Sequence, residues 1–212
     1  MFSVAAAPET PNDKISYKKA ADYWDKIDPS IEGMLGGFGT LTELDCATSI
    51  RFITEFCTQT NSALALDYAC DCGAGIGRVS KNFLLNVFKK VDLVEQNPKF
   101  LEQAKVDYMK EEVAAGKVGD FFPLGLQDFN PEVGRYDMIW SQWVLGHLTD
   151  GALKPNGVIG VKENVCPRGV VELDEQDSSV TRPAKALEAI LKRAVQTGFP
   201  RGLYPVNMYI LQ

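Results

Sequence analysis

The sequence is poor in the side chains that most often bind transition metals. It has one histidine in 212 residues, and its five cysteines follow no spacing typical of a metal site. A zinc site built from cysteine and histidine is therefore not expected, and we predict no bound metal. We interpret the cysteines as small core residues in a reducing compartment.

Basic charge and long apolar runs are also scarce. The chain has 22 Lys and Arg against 28 Asp and Glu, a formal net charge of −6, whereas a nucleic-acid-binding surface normally needs a basic face. No apolar run is long enough to span a bilayer. Residues 1–12 lack the basic start and apolar core of a secretory signal, and they carry no arginine for a mitochondrial one. We therefore expect a disordered tail over residues 1–12, a cytoplasmic or nuclear monomer, and neither nucleic acid nor membrane as a partner.

Apolar periodicity predicts two helices ahead of the first strand. Over Asp13–Lys26 the apolar residues recur at i, i+3, i+4 and i+7, namely at Tyr17, Ala20, Ala21 and Trp24. A second helix is predicted for Leu44–Cys57, and a loop punctuated by Pro and Gly, Asp28–Gly39, separates the two. We assign residues 13–57 to an N-terminal helical cap over the functional site.

Short apolar runs alternate with helical segments along the rest of the chain. Strands are predicted for Leu64–Cys72, Lys90–Glu95, Gly119–Gly125, Tyr136–Trp140, Val158–Glu163 and the C-terminal LYPVNMYIL, with helices at Ile76–Phe88 and Pro98–Ala115. Strands alternating with helices imply an α/β fold with a mostly parallel sheet and helices on both faces. The length and the 45% hydrophobic composition suit a single domain over residues 13–212.

Two connections are short for such a sheet. Neighbouring parallel strands need a crossover of a dozen or more residues, usually a helix plus two loops. Only SQWVLGHLTDGALKPNG separates Trp140 from Val158, and this stretch must also supply functional loop residues. After Arg193 the chain passes from a predicted helix to TGFPRG with no strand between them. We therefore predict that segments are missing near Asp150 and Arg193, in which case Cα atoms at the Asp150–Gly151 junction would not lie about 3.8 Å apart.

A glycine-rich turn directly after a predicted strand is the first functional motif. The stretch DCGAGIGRVS, residues 71–80, places Gly73, Gly75 and Gly77 where a ligand can approach the main chain without side-chain interference. Dinucleotide sites use Gly-x-Gly-x-x-Gly, whereas here the third glycine comes one residue early and Arg78 follows it. The spacing favours S-adenosylmethionine over a dinucleotide, and a structural turn with no ligand is the alternative.

Glu95 ends the second predicted strand. An acidic residue at this place can accept hydrogen bonds from both ribose hydroxyls of a nucleotide. NAD enzymes use the same device, so Glu95 supports adenosine binding without choosing the cofactor. The alternative is a solvated carboxylate at the end of a strand.

Six motifs together resemble the protein alpha-N-terminal methyltransferases, namely GMLGGFG, DCGAGIGR, GLQDF, IWSQWVLGHLTD, LKPNGVIGVKEN and DEQDSSVTR. The resemblance covers the chain from about Tyr23 to the C-terminus, and the combination is far more specific than the glycine turn. It implies a Rossmann-like class I methyltransferase fold. It also implies transfer of a methyl group from S-adenosylmethionine, with S-adenosylhomocysteine as product, to the alpha-amine of protein N-termini that begin Xaa-Pro-Lys. The sequence departs from the family at the two short connections.

The resemblance, together with the glycine turn, implies a set of cofactor-binding residues. These are Met34, Gly73, Gly75, Gly77, Arg78, Glu95, Gln96, Asn97, Leu126, Gln127 and Gln142. The Arg78 guanidinium can hold the methionine carboxylate through two parallel hydrogen bonds.

His147 and Asp177 are the catalytic residues that the resemblance implies. His147 follows the fourth predicted strand, where parallel sheets open their ligand crevice. A free alpha-amine has a pKa of about 7.7–8.0, so a mild base suffices to neutralise it. We assign the pair jointly to deprotonation and orientation of the amine, and a structural role for the histidine is the alternative.

The resemblance further implies contacts to a substrate peptide. Asp174 would bind the ammonium of the third-position Lys, Asn164 would hydrogen-bond the first residue, and Trp143 would stack on the second-position Pro. The full predicted set is Trp24, Leu35, Trp143, Asn164, Asp174, Ser179 and Tyr204. Core packing is the alternative for the aromatic residues, and a solvated surface for the acidic loop.

Two other functions stay open on the sequence alone. A small-molecule methyltransferase would use the same cofactor, although the GMLGGFG and DEQDSS segments disfavour this function. A non-catalytic binding module on the same fold is the second alternative.

Overall fold

The fold is described from a computed structural model, which covers residues 14–59, 64–148, 159–188, 192–195 and 206–211. The predictions for the tail at residues 1–12, for the Asp150–Gly151 junction and for Tyr204 lie outside the described residues.

The N-terminal segment is helical. Helix α1 spans Tyr17–Trp24, and the hydroxyl of Ser16 caps it by accepting a backbone N–H of the first turn. It is shorter than the predicted Asp13–Lys26. A further short helix, α2, covers Ile31–Met34 inside the predicted loop. Helix α3 covers Thr42–Gln59 and confirms the second predicted helix.

The described strands are β1 Tyr68–Cys72, β2 Lys90–Val94, β3 Val118–Phe122, β4 Met138–Gln142, β5 Ile159–Asn164, β6 Glu172–Asp174, β7 Ser179–Thr181, β8 Lys192–Val195 and β9 Val206–Leu211. Seven of them form one sheet in the order β3-β2-β1-β4-β5-β9-β8, and the other two form a separate hairpin, β6-β7. Strands β1 to β5 are parallel, whereas β9 runs antiparallel to β5 and to β8. The predicted mostly parallel sheet is confirmed.

Strand β8 corrects one prediction. We expected no strand between the helix near Arg193 and TGFPRG, but Lys192–Val195 pairs along β9, from Lys192 opposite Ile210 to Val195 opposite Asn207. Four residues that begin with two basic side chains show no alternation that would identify a strand. Its pairing with a distant partner defines it instead.

Four further helices accompany the sheet. They are α4 Arg78–Asn82, α5 Pro98–Gln103, α6 Lys110–Ala114 and α7 Ala184–Glu188, and a π-helical turn, Ala104–Tyr108, joins α5 to α6. Single 3-10 turns cover Gly39–Leu41, Leu84–Asn86, Leu126–Asp128 and Leu145–His147. None of these described helices combines the length and apolar composition that crossing a membrane requires.

Apolar side chains pack on both faces of the sheet. On one face Trp140 of β4 is fully buried, packs edge-on against Phe83 with ring centroids 4.7 Å apart, and belongs to a cluster that includes Ile53 of α3. On the other face Val161 of β5 packs in a cluster with Leu187 of α7. Because successive strand residues point to opposite faces, helices cover the sheet on both sides, as predicted.

The strand order creates a switch point between β1 and β4. From β1 the chain continues to β2 on one side, whereas β4 and then β5 lie on the other side. In open α/β sheets the crevice at such a point, outside the carboxyl ends of the strands, is where ligands bind.

Candidate functional site

A cavity of about 390 Å³ opens at this switch point. Its lining combines the glycine turn after β1 and the carboxyl ends of β4 and β5 with residues of α1 and α2. Sixteen of the predicted site residues line it: Trp24, Met34, Leu35, Gly73, Gly75, Arg78, Glu95, Gln96, Leu126, Gln127, Gln142, Trp143, His147, Asn164, Asp177 and Ser179. The structure thus brings together residues from both ends of the described sequence.

Three predicted residues lie outside the lining. Gly77 has a φ of 83°, and a Cβ there would collide with the Sδ of Met109 in the core. Asn97 caps α5, where its Oδ1 accepts a backbone N–H at 3.0 Å. Asp174 is exposed, and its Oδ1 accepts the backbone N–H of Gln176 at 2.8 Å. A ligand contact for these residues stays a prediction.

The glycine turn presents bare main chain to the cavity. The φ angles are 80° at Gly73 and 55° at Gly75, which glycine adopts readily and other residues rarely. A Cβ added at Gly73 would lie 2.9 Å from the Cβ of Val144, and one at Gly75 would lie 2.6 Å from the Sδ of Met34. No side chain fits at either position without displacing a neighbour.

Arg78 belongs to a buried charged cluster beneath the turn. Its Nη1 donates to Oδ2 of Asp45 at 2.8 Å, and Nε2 of Gln142 donates to the same oxygen at 2.8 Å. The ammonium of Lys162 pairs with the other oxygen of Asp45. Burial alone would raise the pKa of Asp45, but Lys162 and Arg78 hold it below its ordinary value. The carboxylate therefore stays ionised and fixes the Arg78 guanidinium at the cavity wall.

Glu95 bridges β2 to the glycine turn. Its Oε2 accepts the backbone N–H of Gly75 at 3.0 Å, and its Oε1 accepts that of Asn97 at 2.8 Å. Burial raises the pKa of Glu95, and the backbone N–H groups act in the opposite direction. Each carboxylate oxygen has a second lone pair, so the group can still accept hydrogen bonds from a ligand in the cavity.

His147 and Asp177 lie side by side in the lining of the cavity. The His147 Nε2 lies 3.7 Å from Oδ2 of Asp177, and it accepts a hydrogen bond from the indole Nε1 of Trp24 at 3.3 Å. Burial lowers the pKa of His147, whereas the charges of Asp177 and Asp174 raise it. Oδ1 of Asp177 is held by the backbone N–H of Ser179 at 2.9 Å. A neutral imidazole and a carboxylate thus lie together at one end of the cavity.

Trp143 starts the loop that leads to His147. Its φ of 54° lies in the left-handed region, and its backbone N–H donates to the carbonyl of Lys162 at 3.0 Å. The indole Nε1 is buried and has no hydrogen-bond partner among the residues that the structure describes. The guanidinium of Arg78 lies 5.4 Å from the ring centroid. Trp143 itself lines the cavity.

Two residues that we did not predict hold the turn that carries His147. Glu163 accepts the backbone N–H of Leu145 at 3.0 Å, and Arg182 donates to the carbonyls of Leu145 and Leu148 at 3.0 and 2.9 Å. Burial raises the pKa of Glu163 to about 7. We call Glu163 and Arg182 the turn clamp, because they grip the main chain on either side of His147.

Lys162 and the turn clamp lie within the motifs LKPNGVIGVKEN and DEQDSSVTR, but we predicted no role for these residues, and Asp45 lies in no motif. Glu163 is next to the predicted Asn164, and Lys162 precedes it in the same strand, so a charged KEN sequence at the end of a strand was the available indication. Asp45 lies in an ordinary helical pattern, and nothing in its neighbourhood indicates a partner 33 residues away.

Comparison with known proteins agrees with the geometry. The model of the AdoMet-dependent proline di-methyltransferase family matches residues 12–212. The chain belongs to this family. It is 42% identical over 220 residues to the mouse N-terminal Xaa-Pro-Lys N-methyltransferase 1, covering 95% of this chain and 97% of that protein. It is 41% identical over 218 residues to the Dictyostelium discoideum alpha N-terminal protein methyltransferase 1, covering 92% and 79% of the two chains.

Solved structures support the same conclusion. A SAM-dependent methyltransferase from Leishmania major superposes with a TM-score of 0.79 at 32% identity, covering 92% of this chain and 82% of that one. The magnesium protoporphyrin IX methyltransferase of Synechocystis, at 15% identity and a TM-score of 0.59, shares the fold alone. The resemblance and the class I methyltransferase fold predicted from the sequence are confirmed, and this family member is a methyltransferase.

Proposed function

We propose that this enzyme transfers a methyl group from S-adenosylmethionine to the alpha-amine of protein N-termini that begin Xaa-Pro-Lys. The observation that carries the proposal is the meeting of three features in one cavity: the bare glycine turn, the His147–Asp177 pair and an indole wall. The name of the mouse relative supports N-termini that begin Xaa-Pro-Lys, and that of the Dictyostelium relative supports methylation at protein alpha N-termini.

The residues around the glycine turn fit S-adenosylmethionine. The backbone at Gly73 and Gly75 offers a cradle that a Cβ would fill, and Arg78 lines it. The Nη1 of Arg78 is engaged by Asp45, while Nε and Nη2 carry three more N–H donors that can bind a carboxylate. Glu95 would accept hydrogen bonds from the ribose hydroxyls. When bound, the cofactor supplies a methyl group already activated on a sulfonium.

His147 and Asp177 would neutralise the substrate amine. An alpha-amine with a pKa of about 7.7–8.0 is mostly protonated at neutral pH, so its nitrogen lone pair must be freed before it can attack. His147 is buried, its pKa is lowered, and it offers a lone pair. It would take the proton from the ammonium, and Asp177 would stabilise the imidazolium that forms. Holding the amine in line with the sulfonium lowers the barrier by several kcal/mol, on the order of 7 or more for well-oriented groups.

The remaining wall suits a short peptide with a proline and a lysine. Trp24, Leu35 and Trp143 offer flat apolar surface for a pyrrolidine ring, which loses little conformational entropy when it is fixed. Asn164 at the end of β5 can hydrogen-bond the first residue. The carboxylates of Asp174 and Asp177 lie close enough to influence Tyr23 and His147 electrostatically, and they would attract a lysine ammonium. Tyr204 stays a predicted contact.

Labelled cofactor and three hexapeptides test the proposal. We expect label in a peptide that starts Ser-Pro-Lys, and far less in peptides that start Ser-Ala-Lys or Ser-Pro-Gln. Equal labelling of the first two would contradict recognition of proline. Labelling of no peptide, with binding of the cofactor intact, would favour a small-molecule methyltransferase. Absence of cofactor binding as well would favour a non-catalytic module.

A further inference from the structure

Trp24 donates a hydrogen bond to His147, in addition to lining the cavity with its ring. Its indole Nε1 lies 3.3 Å from Nε2 of His147, and the two rings meet edge-on with centroids 6.2 Å apart. An indole nitrogen can only donate a hydrogen bond. Nε2 of His147 is therefore the acceptor, and it carries no proton in this arrangement.

The other nitrogen of His147 completes the assignment. Nδ1 is buried and has no hydrogen-bond partner within the described part of the chain. In a neutral imidazole one nitrogen carries the proton, so Nδ1 must carry it here. Asp177 Oδ2, at 3.7 Å from Nε2, is beyond hydrogen-bonding distance. A proton on Nε2 would face the indole N–H, donor against donor, and would need Asp177 as its partner instead.

We propose that Trp24 is a positioning residue whose indole N–H holds His147 in the Nδ1–H tautomer and keeps Nε2 unprotonated. The substrate ammonium would then take the place of the indole N–H as the donor to Nε2. The proton would pass from the amine nitrogen to Nε2, the indole would move away, and Asp177 would accept the new Nε2–H. This inference rests on the proposed function, in which His147 is the base.

The charged and titratable groups around His147 agree with this exchange. Asp177 and Asp174 face it from the hairpin, and both stabilise the protonated form. Tyr23 packs edge-on against Trp24 at 5.4 Å, and its raised pKa keeps it neutral. The turn clamp acts on the backbone of the turn and leaves Nε2 of His147 to Trp24 and Asp177. Trp24 is therefore the one described donor that opposes the proton on Nε2.

The single histidine makes the tautomer directly measurable. In uniformly 15N-labelled protein without an affinity tag, every imidazole resonance belongs to His147. We expect the two 15N shifts at pH 8 to report a protonated Nδ1 and an unprotonated Nε2. In Trp24→Phe, which keeps an aromatic ring but has no N–H, we expect the Nε2–H tautomer, bonded to Asp177. The pKa of His147 should rise by about 0.7 unit, because the competing donor is lost.

Trp143→Phe is the matched control. It removes the same kind of N–H from another tryptophan of the cavity lining, but that indole has no described hydrogen-bond partner. We expect it to leave the tautomer and the pKa of His147 unchanged. An Nε2–H tautomer in the wild-type protein would overturn the proposal whether or not Trp24→Phe folds. An unchanged tautomer in folded Trp24→Phe would overturn it as well.

Peptide methylation separates this inference from the proposed function. In Trp24→Phe we expect the acidic limb of the kcat/KM profile to move to higher pH by the same 0.7 unit, about the equivalent of the lost hydrogen bond. A tautomer change without any shift of the limb would show that His147 is not the base, and the proposed role of His147 would fail while the hydrogen bond stands. A wild-type enzyme that methylates the peptide but carries the proton on Nε2 would overturn the inference about Trp24 and leave the proposed function intact.

Discussion

The two halves of the cavity are built in different ways. We call the part formed by the glycine turn and Glu95, where S-adenosylmethionine is proposed to bind, the cofactor half. It comes from two neighbouring strands, and the Glu95 carboxylate holds the turn by accepting the backbone N–H of Gly75. We call the part formed by the turn that carries His147 and by the β6-β7 hairpin, where the peptide is proposed to bind, the substrate half. Side chains from distant segments hold it, including Trp24 and Arg182. The cofactor half is therefore built from consecutive elements of the chain, whereas the substrate half needs segments that lie far apart in the sequence.

Asp177→Asn should separate the two halves most strongly. The variant keeps the size of the side chain and the bond from Ser179, but it loses the charge that stabilises an imidazolium. We expect turnover to fall by about 10²-fold and the cofactor Kd to stay the same by titration calorimetry. Asp174→Asn is the control, and we expect it to raise the KM for the Lys-containing peptide with little change in kcat. An equally large loss of cofactor affinity in Asp177→Asn would contradict the assignment of Asp177 to the substrate half.

Gly75→Ala should damage the cofactor half alone. The new Cβ would lie 2.6 Å from the Met34 Sδ, on a backbone with φ of 55°. We expect the cofactor Kd to weaken by about tenfold, while the tautomer of His147 is unchanged. Gly134→Ala has a similar φ of 77° and open space around the Cβ, so it controls for backbone strain. Equal Kd values for the two variants would exclude the steric explanation.

Arg182→Lys should damage the substrate half by a smaller amount. A lysine is a point donor and cannot reach the carbonyls of Leu145 and Leu148 together, as the planar guanidinium does. We expect kcat to fall by roughly three- to tenfold, corresponding to the net loss of about one hydrogen bond, with the cofactor Kd preserved. An unchanged kcat would show that the turn keeps its geometry without the clamp.

The pH dependence of stability should show the smallest difference between the halves. Burial raises the pKa of Asp71, in the cofactor half, to about 6, and that of Glu163, in the substrate half, to about 7. Both pKa values exceed those of unfolded chains, so the native state holds more protons and the free energy of unfolding falls as pH rises toward these values. In urea titrations, Asp71→Asn should flatten this fall between about pH 4 and 6, and Glu163→Gln between about pH 4 and 7. Slopes identical to that of the wild type would contradict both assignments.

The sequence predicts well which residues of the cofactor half line the cavity, because these residues lie close together along the chain. The strand ending at Cys72, the glycines after it and Glu95 lie within 30 residues, and their order along the chain is their order in space. Even here Gly77 and Asn97 lie outside the cavity lining, because one is needed for packing against Met109 and the other for capping α5. A motif does not distinguish a residue that contacts the ligand from one that supports the turn.

The substrate half is harder to predict because its contacts are distant in sequence. Arg182 reaches Leu145 across 37 residues and Trp24 reaches His147 across 123, and no period or spacing records either pair. The short strands β6, β7 and β8 were missed for the same reason, since pairing and not propensity defines them. The catalytic role of His147 and Asp177 was predicted from the family resemblance. The hydrogen bond from Trp24 to His147 was predicted neither from the sequence pattern nor from the resemblance.

The buried carboxylate of Asp45 ties the first helices to the rest of the protein. It comes from α3, outside the sheet, yet it is the counter-ion for Arg78 beside the glycine turn and for Lys162 inside β5. If the N-terminal helices were removed, two cations would be left in an apolar interior with their neutralising partner gone. No minimal catalytic core can therefore be made by trimming this chain to its sheet, and any shorter version would have to replace both basic residues as well.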